Sequence, residues 1–245
     1  MFKLCLIGIG TGNPDHVTTE GQNAMRAADL ILIPRKGATK ADLADLRLQI
    51  CSEVLDDTRG VIEFDLPVRD ATVAYREGVE DWHDQIAVAW QNALAPHLPV
   101  RTVALLVWGD PSLYDSTLRI AARLNPTPEI QVVPGITALQ ALTAAHAIPL
   151  NAIGAPVVIT TGRNLRDAGW PPGADRVAVM LDAGGAFETI DLDGVWIWWG
   201  AFLGMKEQIL RSGPLSEVAA DIMATRAKAR RDHGWIMDIY VMERR

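Results

Sequence analysis

Val103-Ala104-Leu105-Leu106-Val107-Trp108-Gly109-Asp110-Pro111-Ser112-Leu113-Tyr114 is an apolar run of strand length that stops at a polar, turn-forming loop. A short apolar run bounded by glycine and proline reads as a strand buried on both faces. The chain opens in the same way: residues 2–7 are apolar apart from Lys3, and Gly8-Ile9-Gly10-Thr11-Gly12-Asn13-Pro14 follows. A third instance is Val132-Val133-Pro134-Gly135-Ile136-Thr137-Ala138. If the three runs are parallel strands of one sheet, all three loops lie at its carboxyl edge, where open α/β sheets bind ligands.

The segments between them fit that reading. Strand signals at residues 2–9, 30–34, 61–66, 100–108 and 130–133 alternate with helical patterns at 18–28, 42–51, 71–95, 116–124 and 136–147. Leu43, Leu46 and Ile50 fall at helical spacing, and Thr18 or Thr19 suits an N-cap. Regular β-α alternation predicts a parallel, doubly wound sheet. Residues 149–156 read as a linker, and beyond them the rhythm changes. Strands are predicted at 157–161, 176–181, 195–199 and 236–242, a helix at 216–231, and a loop at 169–173. The expectation is two α/β domains, residues 1–152 with the doubly wound sheet and 153–245 with a smaller mixed sheet.

The chain has 245 residues, 49% hydrophobic and 22% charged, which is ordinary globular composition. A net charge of −7 speaks against broad nucleic-acid binding, which needs a basic face. Cys5 and Cys51 form no metal-ligand spacing, so no metal is expected, and two isolated thiols suit a reducing compartment. No apolar stretch reaches membrane-spanning length, and the segment after Lys3 is too short for a signal peptide. These features predict a cytoplasmic protein with no membrane partner; a homodimer is allowed but nothing in the sequence requires it.

Gly8, Gly10 and Gly12 invite a dinucleotide reading, but that fingerprint needs a third glycine where Asn13 stands. Nor does an acidic residue close the second strand to hold a ribose; Ile33-Pro34-Arg35 is there instead. On these residues alone, a nicotinamide-dependent oxidoreductase, a metabolite-binding regulator and a ligand-free turn all stay open.

The three loops in combination resemble the tetrapyrrole methylase family of S-adenosylmethionine-dependent methyltransferases, over almost the whole chain. Trp198-Trp199-Gly200-Ala201-Phe202-Leu203-Gly204, Glu207-Gln208-Ile209-Leu210 and His233-Gly234-Trp235-Ile236-Met237-Asp238 are similar to its deacetylating corrin-ring subgroup. Thr11 replaces a more usual proline and Asn13 a usual aspartate, which weakens any role needing a charge at 13.

The resemblance implies an active-site cleft between the two domains. It implies S-adenosylmethionine as cofactor, S-adenosylhomocysteine as product, and a small-molecule tetrapyrrole as substrate. Gly10, Thr11, Gly109, Asp110, Leu113, Tyr114, Thr137 and Ala138 would hold the cofactor from the first domain, and Met180, Gly200 and Ile236 from the second. The subgroup's reaction methylates a carbon of precorrin-5 and releases acetate, giving precorrin-6A; another precorrin C-methyltransferase is the nearest rival. Releasing acetate needs water to attack a ketone with help from a general base. Asp15, His16, Asp110 and Tyr114 are the candidates at the carboxyl edge. Arg35, Lys36, Lys40 and Arg47 follow the second strand and are placed to meet the substrate's carboxylates, with Arg163 and Arg166 in the second domain as further cations.

Overall fold

The first strand, β1 (Lys3–Gly8), pairs in parallel with β4 (Thr102–Val107) on one side and β5 (Glu129–Val133) on the other. The structure is a computed structural model that describes residues 2–35, 42–70, 72 and 74–245. β2 (Leu30–Arg35) and β3 (Val61–Asp65) complete a five-stranded sheet in the order β3-β2-β4-β1-β5, with every pairing parallel.

β1, β2 and β4 are buried on both faces and must be apolar almost continuously, which is why their runs do not alternate. Cys5, Ile7, Ile31, Ile33, Ala104 and Leu106 pack on one face with Met25 of α1 (Thr19–Ala27) and Ile50 and Cys51 of α2 (Asp42–Val54). Leu4, Leu6, Leu30, Leu32, Val103 and Leu105 pack on the other with Ile86 and Trp90 of α3 (Tyr75–Leu94) and Ile120 of α4 (Thr117–Ala121). The sheet is therefore doubly wound, as expected. The helix starts follow local rules too: Thr18 caps α1, its Oγ1 accepting from Gly21 N at 3.0 Å.

One irregularity matters for the site. β2 pairs with β4 only along Leu30, Ile31 and Leu32, then turns to follow β3 as far as Arg35. The sheet thus opens between β2 and β4 towards its carboxyl edge.

The chain divides into compact units at Thr137 and Ala138. The first is therefore shorter than the 1–152 domain read from the sequence. The reason is α5 (Ala138–Ala145), which packs on β8 (Val195–Ala201) and β10 (Asp238–Arg244) of the second unit. His146, just past α5, bonds through Nε2 to the carbonyl of Trp199 at 3.0 Å.

The second unit also contains β6 (Val158–Thr161), α6 (Gly162–Ala168), β7 (Arg176–Met180), β9 (Ile209–Pro214) and α7 (Leu215–His233). Its five strands run β6-β7-β10-β8-β9; β6 and β7 are parallel and the other pairings antiparallel, giving the mixed sheet expected. α6 and β9 were not legible in the sequence. α6 is a seven-residue helix opening on a glycine, and β9 is a one-sided edge strand ending in Gly213-Pro214. The tryptophan-rich β8 is a core strand, with Trp199 wholly buried beside Ile197 and Tyr240.

Candidate active site

At the carboxyl edge of the first sheet three strand ends meet backbone to backbone. Gly10 and Gly109 exchange hydrogen bonds: Gly109 N donates to Gly10 O at 2.7 Å, and Gly10 N to Gly109 O at 3.3 Å. Gly135 lies against both β1 and the second loop. A methyl group on Gly135 would sit 2.1 Å from Gly109 O, and one on Gly8 would sit 2.5 Å from Gly135 N. No side chain fits at either position.

Gly109 is different. Its φ of +66° favours glycine, yet a methyl group there would meet only the Cα of Thr137, at 3.8 Å. Thr137 and the second loop are therefore neighbours.

Asp110 fastens these loops. Its Oδ1 accepts from Ser112 N at 2.8 Å and from Ser112 Oγ at 2.5 Å, and its Oδ2 accepts from Gly135 N at 2.8 Å. Partial burial pushes its carboxyl group up, but the Ser112 hydroxyl, the Gly135 amide and the Ser112 amide outweigh it and hold it below the usual range. A carboxylate whose lone pairs are committed to three donors is a positioning group. Of the four base candidates it is the least suited to take up a proton.

The loop then rises to Leu113, half-buried, and Tyr114, a non-glycine residue at φ +50° with 42% of its surface exposed. A tyrosine held in the left-handed region is a local strain that the surrounding loop must impose. Desolvation pushes its phenol above the usual value.

On the first loop, His16 folds back over Gly10 and Thr11. Its Nδ1 lies 3.0 Å from Thr11 Oγ1, and Thr11 is only 4% exposed. A side chain on Gly10 would collide with His16 Cβ at 2.5 Å, so the fold-back depends on that glycine. Asp15 is exposed. Asn13, the residue that departs from the family's aspartate, caps the short 3-10 helix Pro14–His16 by accepting from Asp15 N at 3.0 Å. That role needs a side-chain carbonyl and no charge.

In the second unit, Met180 ends β7 and is half-buried, and Leu181 follows at φ +53° with 66% exposure. Asp182, almost wholly buried, organises the turn beyond. It accepts from Ala186 N at 2.6 Å, Gly184 N at 3.0 Å and the Tyr240 hydroxyl at 2.7 Å. Arg166 reaches its Oδ1 at 3.4 Å, so this cation is engaged within its own unit. Burial, then the Asp182 carboxylate, push the Tyr240 phenol far above its ordinary value. Nothing in the sequence pattern around Asp182 distinguished it from a surface aspartate; only its burial does.

Gly200 and Ile236 have packing roles. A methyl group on Gly200 would meet Leu203, Leu142 and Leu210 side chains at 2.7, 2.8 and 3.2 Å, so leucines occupy the space beside its Cα. Ile236 packs on the core that contains Trp199 and Tyr240.

The matches to known proteins follow this geometry. Residues 3–219 match the model of the tetrapyrrole (corrin/porphyrin) methylases. The chain belongs to that family. It is 46% identical over 252 residues to a precorrin-6A synthase [deacetylating] of Sinorhizobium sp, covering 100% of this chain and 96% of the relative. A cobalamin-synthesis-related protein (CobF) of Corynebacterium diphtheriae superposes with a TM-score of 0.83 at 37% identity, covering 100% of this chain and 99% of that one. A uroporphyrin-III C-methyltransferase of Thermus thermophilus, solved with S-adenyl homocysteine, shares the fold at a TM-score of 0.60 and 16% identity, covering 98% of this chain and 97% of that one.

The protein is thus a methyltransferase. The basic residues at and after the end of β2 differ in their partners. Arg35 is not available: it pairs with Glu63 and lies 3.5 Å from Asp45. Lys36 and Lys40 lie outside the described residues. Arg47 is half-buried, and among the described residues its hydrogen bonds go to backbone carbonyls.

Among the described residues no helix is long and apolar enough to cross a membrane, and no group of three His, Cys, Asp or Glu side chains gathers.

Proposed function

We propose that this methylase converts precorrin-5 to precorrin-6A, transferring a methyl group from S-adenosylmethionine to a ring carbon and releasing acetate. The observation that carries the reading is the 46% identity along the whole chain to a precorrin-6A synthase [deacetylating].

The first unit fits the cofactor. Gly8 and Gly135 are glycines because backbone fills the space beside them, but Gly109 is not crowded and has a left-handed backbone. Its bareness lets a ligand approach the peptide chain closely, between the loops that Asp110 holds together. When bound, S-adenosylmethionine supplies a methyl group already activated by its sulfonium, so no enzyme nucleophile is needed. The residues' work is alignment and exclusion of water, and such positioning contributes roughly 7–11 kcal/mol in favourable cases. Gly10, Thr11, Gly109, Leu113, Tyr114 and Thr137 of the first unit are assigned to it.

Loss of acetate requires water to add to the substrate's ketone, followed by cleavage of the carbon–carbon bond to the ring. His16 is the preferred base. Thr11 Oγ1 fixes its ring through Nδ1. If Nδ1 donates to that hydroxyl, Nε2 is left as the acceptor that takes the water's proton. Asp15 and Tyr114 are the remaining candidates on the same edge, Tyr114 as a donor to the developing oxyanion.

Mass spectrometry of the product from precorrin-5 tests the reading. Methyl gain combined with acetyl loss is expected from the wild type, and His16→Asn is expected to accumulate a methylated product that keeps its acetyl group. Methyl gain alone from the wild type would reassign the protein to another precorrin C-methyltransferase. Thermal stabilisation by NADP but not by S-adenosylhomocysteine would return it to the oxidoreductases.

A further inference from the structure

We infer that Arg47 anchors one carboxylate side chain of the tetrapyrrole substrate, at the opening between β2 and β4. The inference rests on the proposed reaction and extends it to how the ring is held.

Val107 O accepts from Ile9 N on the β1 side. Carbonyls alternate along a strand, so Leu106 O faces the β2 side, where pairing has already ended at Leu32 and Leu105. Arg47 of α2 supplies what β2 no longer does: its Nε donates to Leu106 O at 2.9 Å, and its Nη1 donates to Leu43 O at 3.1 Å. Its guanidinium carbon lies 5.8 Å from the centre of the Trp108 ring, immediately before Gly109 and Asp110.

Both protein acceptors are neutral. Among the described residues Arg47 forms no ion pair, and its hydrogen bonds engage Nε and Nη1, with none at Nη2. Asp115 is the acidic group that faces it, and the Oδ1 of Asp115 already accepts from Thr117 N at 2.6 Å. Burial pulls the guanidinium down to about 10, which is the cost of a desolvated cation without a close counter-ion. Burying such a charge is unfavourable unless something pairs with it, and a carboxylate arriving at Nη2 would do so with a strong, directional hydrogen bond. Arg35, at the end of the same strand, shows the contrast, because Glu63 and Asp45 already neutralise it.

The test uses Arg47→Met and Arg47→Lys in the full-length protein, with uroporphyrin III as a stable polycarboxylate tetrapyrrole probe. Titration of uroporphyrin into Arg47→Met should show affinity about ten- to a hundred-fold weaker than wild type, and a shallower salt dependence. Affinity for S-adenosylhomocysteine should stay within about twofold. Arg47→Lys keeps the cation and loses the fork, so it should fall between the two. The KM for precorrin-5 should rise in Arg47→Met while the KM for S-adenosylmethionine holds.

Two results would overturn the inference. One is wild-type uroporphyrin affinity in a folded Arg47→Met. The other is parallel loss of porphyrin affinity, S-adenosylhomocysteine affinity and melting temperature in both variants, which is the signature of a strap between α2 and β4. Failure of the wild type to turn over precorrin-5 would sink the proposed reaction instead, a separate outcome.

Discussion

The carboxylate of Asp110 accepts a hydrogen bond from the backbone N–H of Gly135 at 2.8 Å, joining two loops that are 25 residues apart. With the two bonds from Ser112, this makes Asp110 the fastener of the carboxyl edge. Asp110→Ala should destabilise the protein by about 2 kcal/mol, since hydrogen bonds to a charged group contribute about 1.5–3 kcal/mol each and water recovers part of that. It should also weaken S-adenosylhomocysteine binding by about tenfold or more. The folded carboxyl titrates below its ordinary value, so its contribution is complete above the unfolded value of about 3.9 and disappears as pH falls through the folded one. Urea melts of wild type and variant should therefore converge below about pH 4. A constant gap down to acid pH would contradict this account.

The glycines of the same edge should respond in different ways. Gly135→Ala puts a methyl group 2.1 Å from Gly109 O, a backbone atom that cannot turn aside. Loss of soluble, cooperatively folding protein is expected. Gly109→Ala meets nothing closer than 3.8 Å and carries only the strain of its left-handed backbone, about 1–2 kcal/mol. It should fold, and lose cofactor affinity out of proportion to its lost stability. Calorimetric titration with S-adenosylhomocysteine separates the two behaviours.

His83, on α3, is 2% exposed, and among the described residues neither ring nitrogen has a hydrogen-bond partner. Burial, and then Arg123, hold its imidazole below the ordinary value against the opposing pull of Glu80 and Asp84. Between the folded value and about 6.5 the unfolded chain binds more protons than the folded one, so stability falls as pH falls through that window. His83→Leu fills similar space without the polar atoms. Unfolding free energies at pH 5 and pH 7 should differ less in the variant than in the wild type, and an unchanged difference would place the titrating group elsewhere.

In the second unit, Tyr240→Phe removes one of the donors to the buried Asp182 carboxylate. Ala186 N still reaches the same oxygen, so the expected loss is about 1–2 kcal/mol, at the lower end for a buried charged acceptor. Guanidinium melts read it directly. A larger loss, with altered cofactor binding, would mean that Leu181 and its turn had moved as well.

The fold was legible because its signals are local. The inner strands β1 and β4 are apolar runs closed by glycine loops, and α1 carries its own cap in Thr18. α6 and β9 escaped because a seven-residue helix and a one-sided edge strand have too few residues for a period to show. The domain boundary moved for a related reason: linker composition marks residues 149–156, but α5 belongs to whichever sheet its apolar face finds, and that is β8 and β10.

The candidate site divides along the same line. Sequence by itself determined that three strand ends carry glycine loops, that Asp110 and His16 follow them, and that cations follow β2, because residue identity and order settle such matters. Tertiary structure alone decided which of those groups is free to act. Asp110 is committed to three donors, Arg35 is paired with Glu63 and Asp45, and Arg47 is half-buried with its hydrogen bonds on backbone carbonyls. A side chain's charge is written in the chain; its partners and its share of water are set by residues tens of positions away, brought beside it by the sheet.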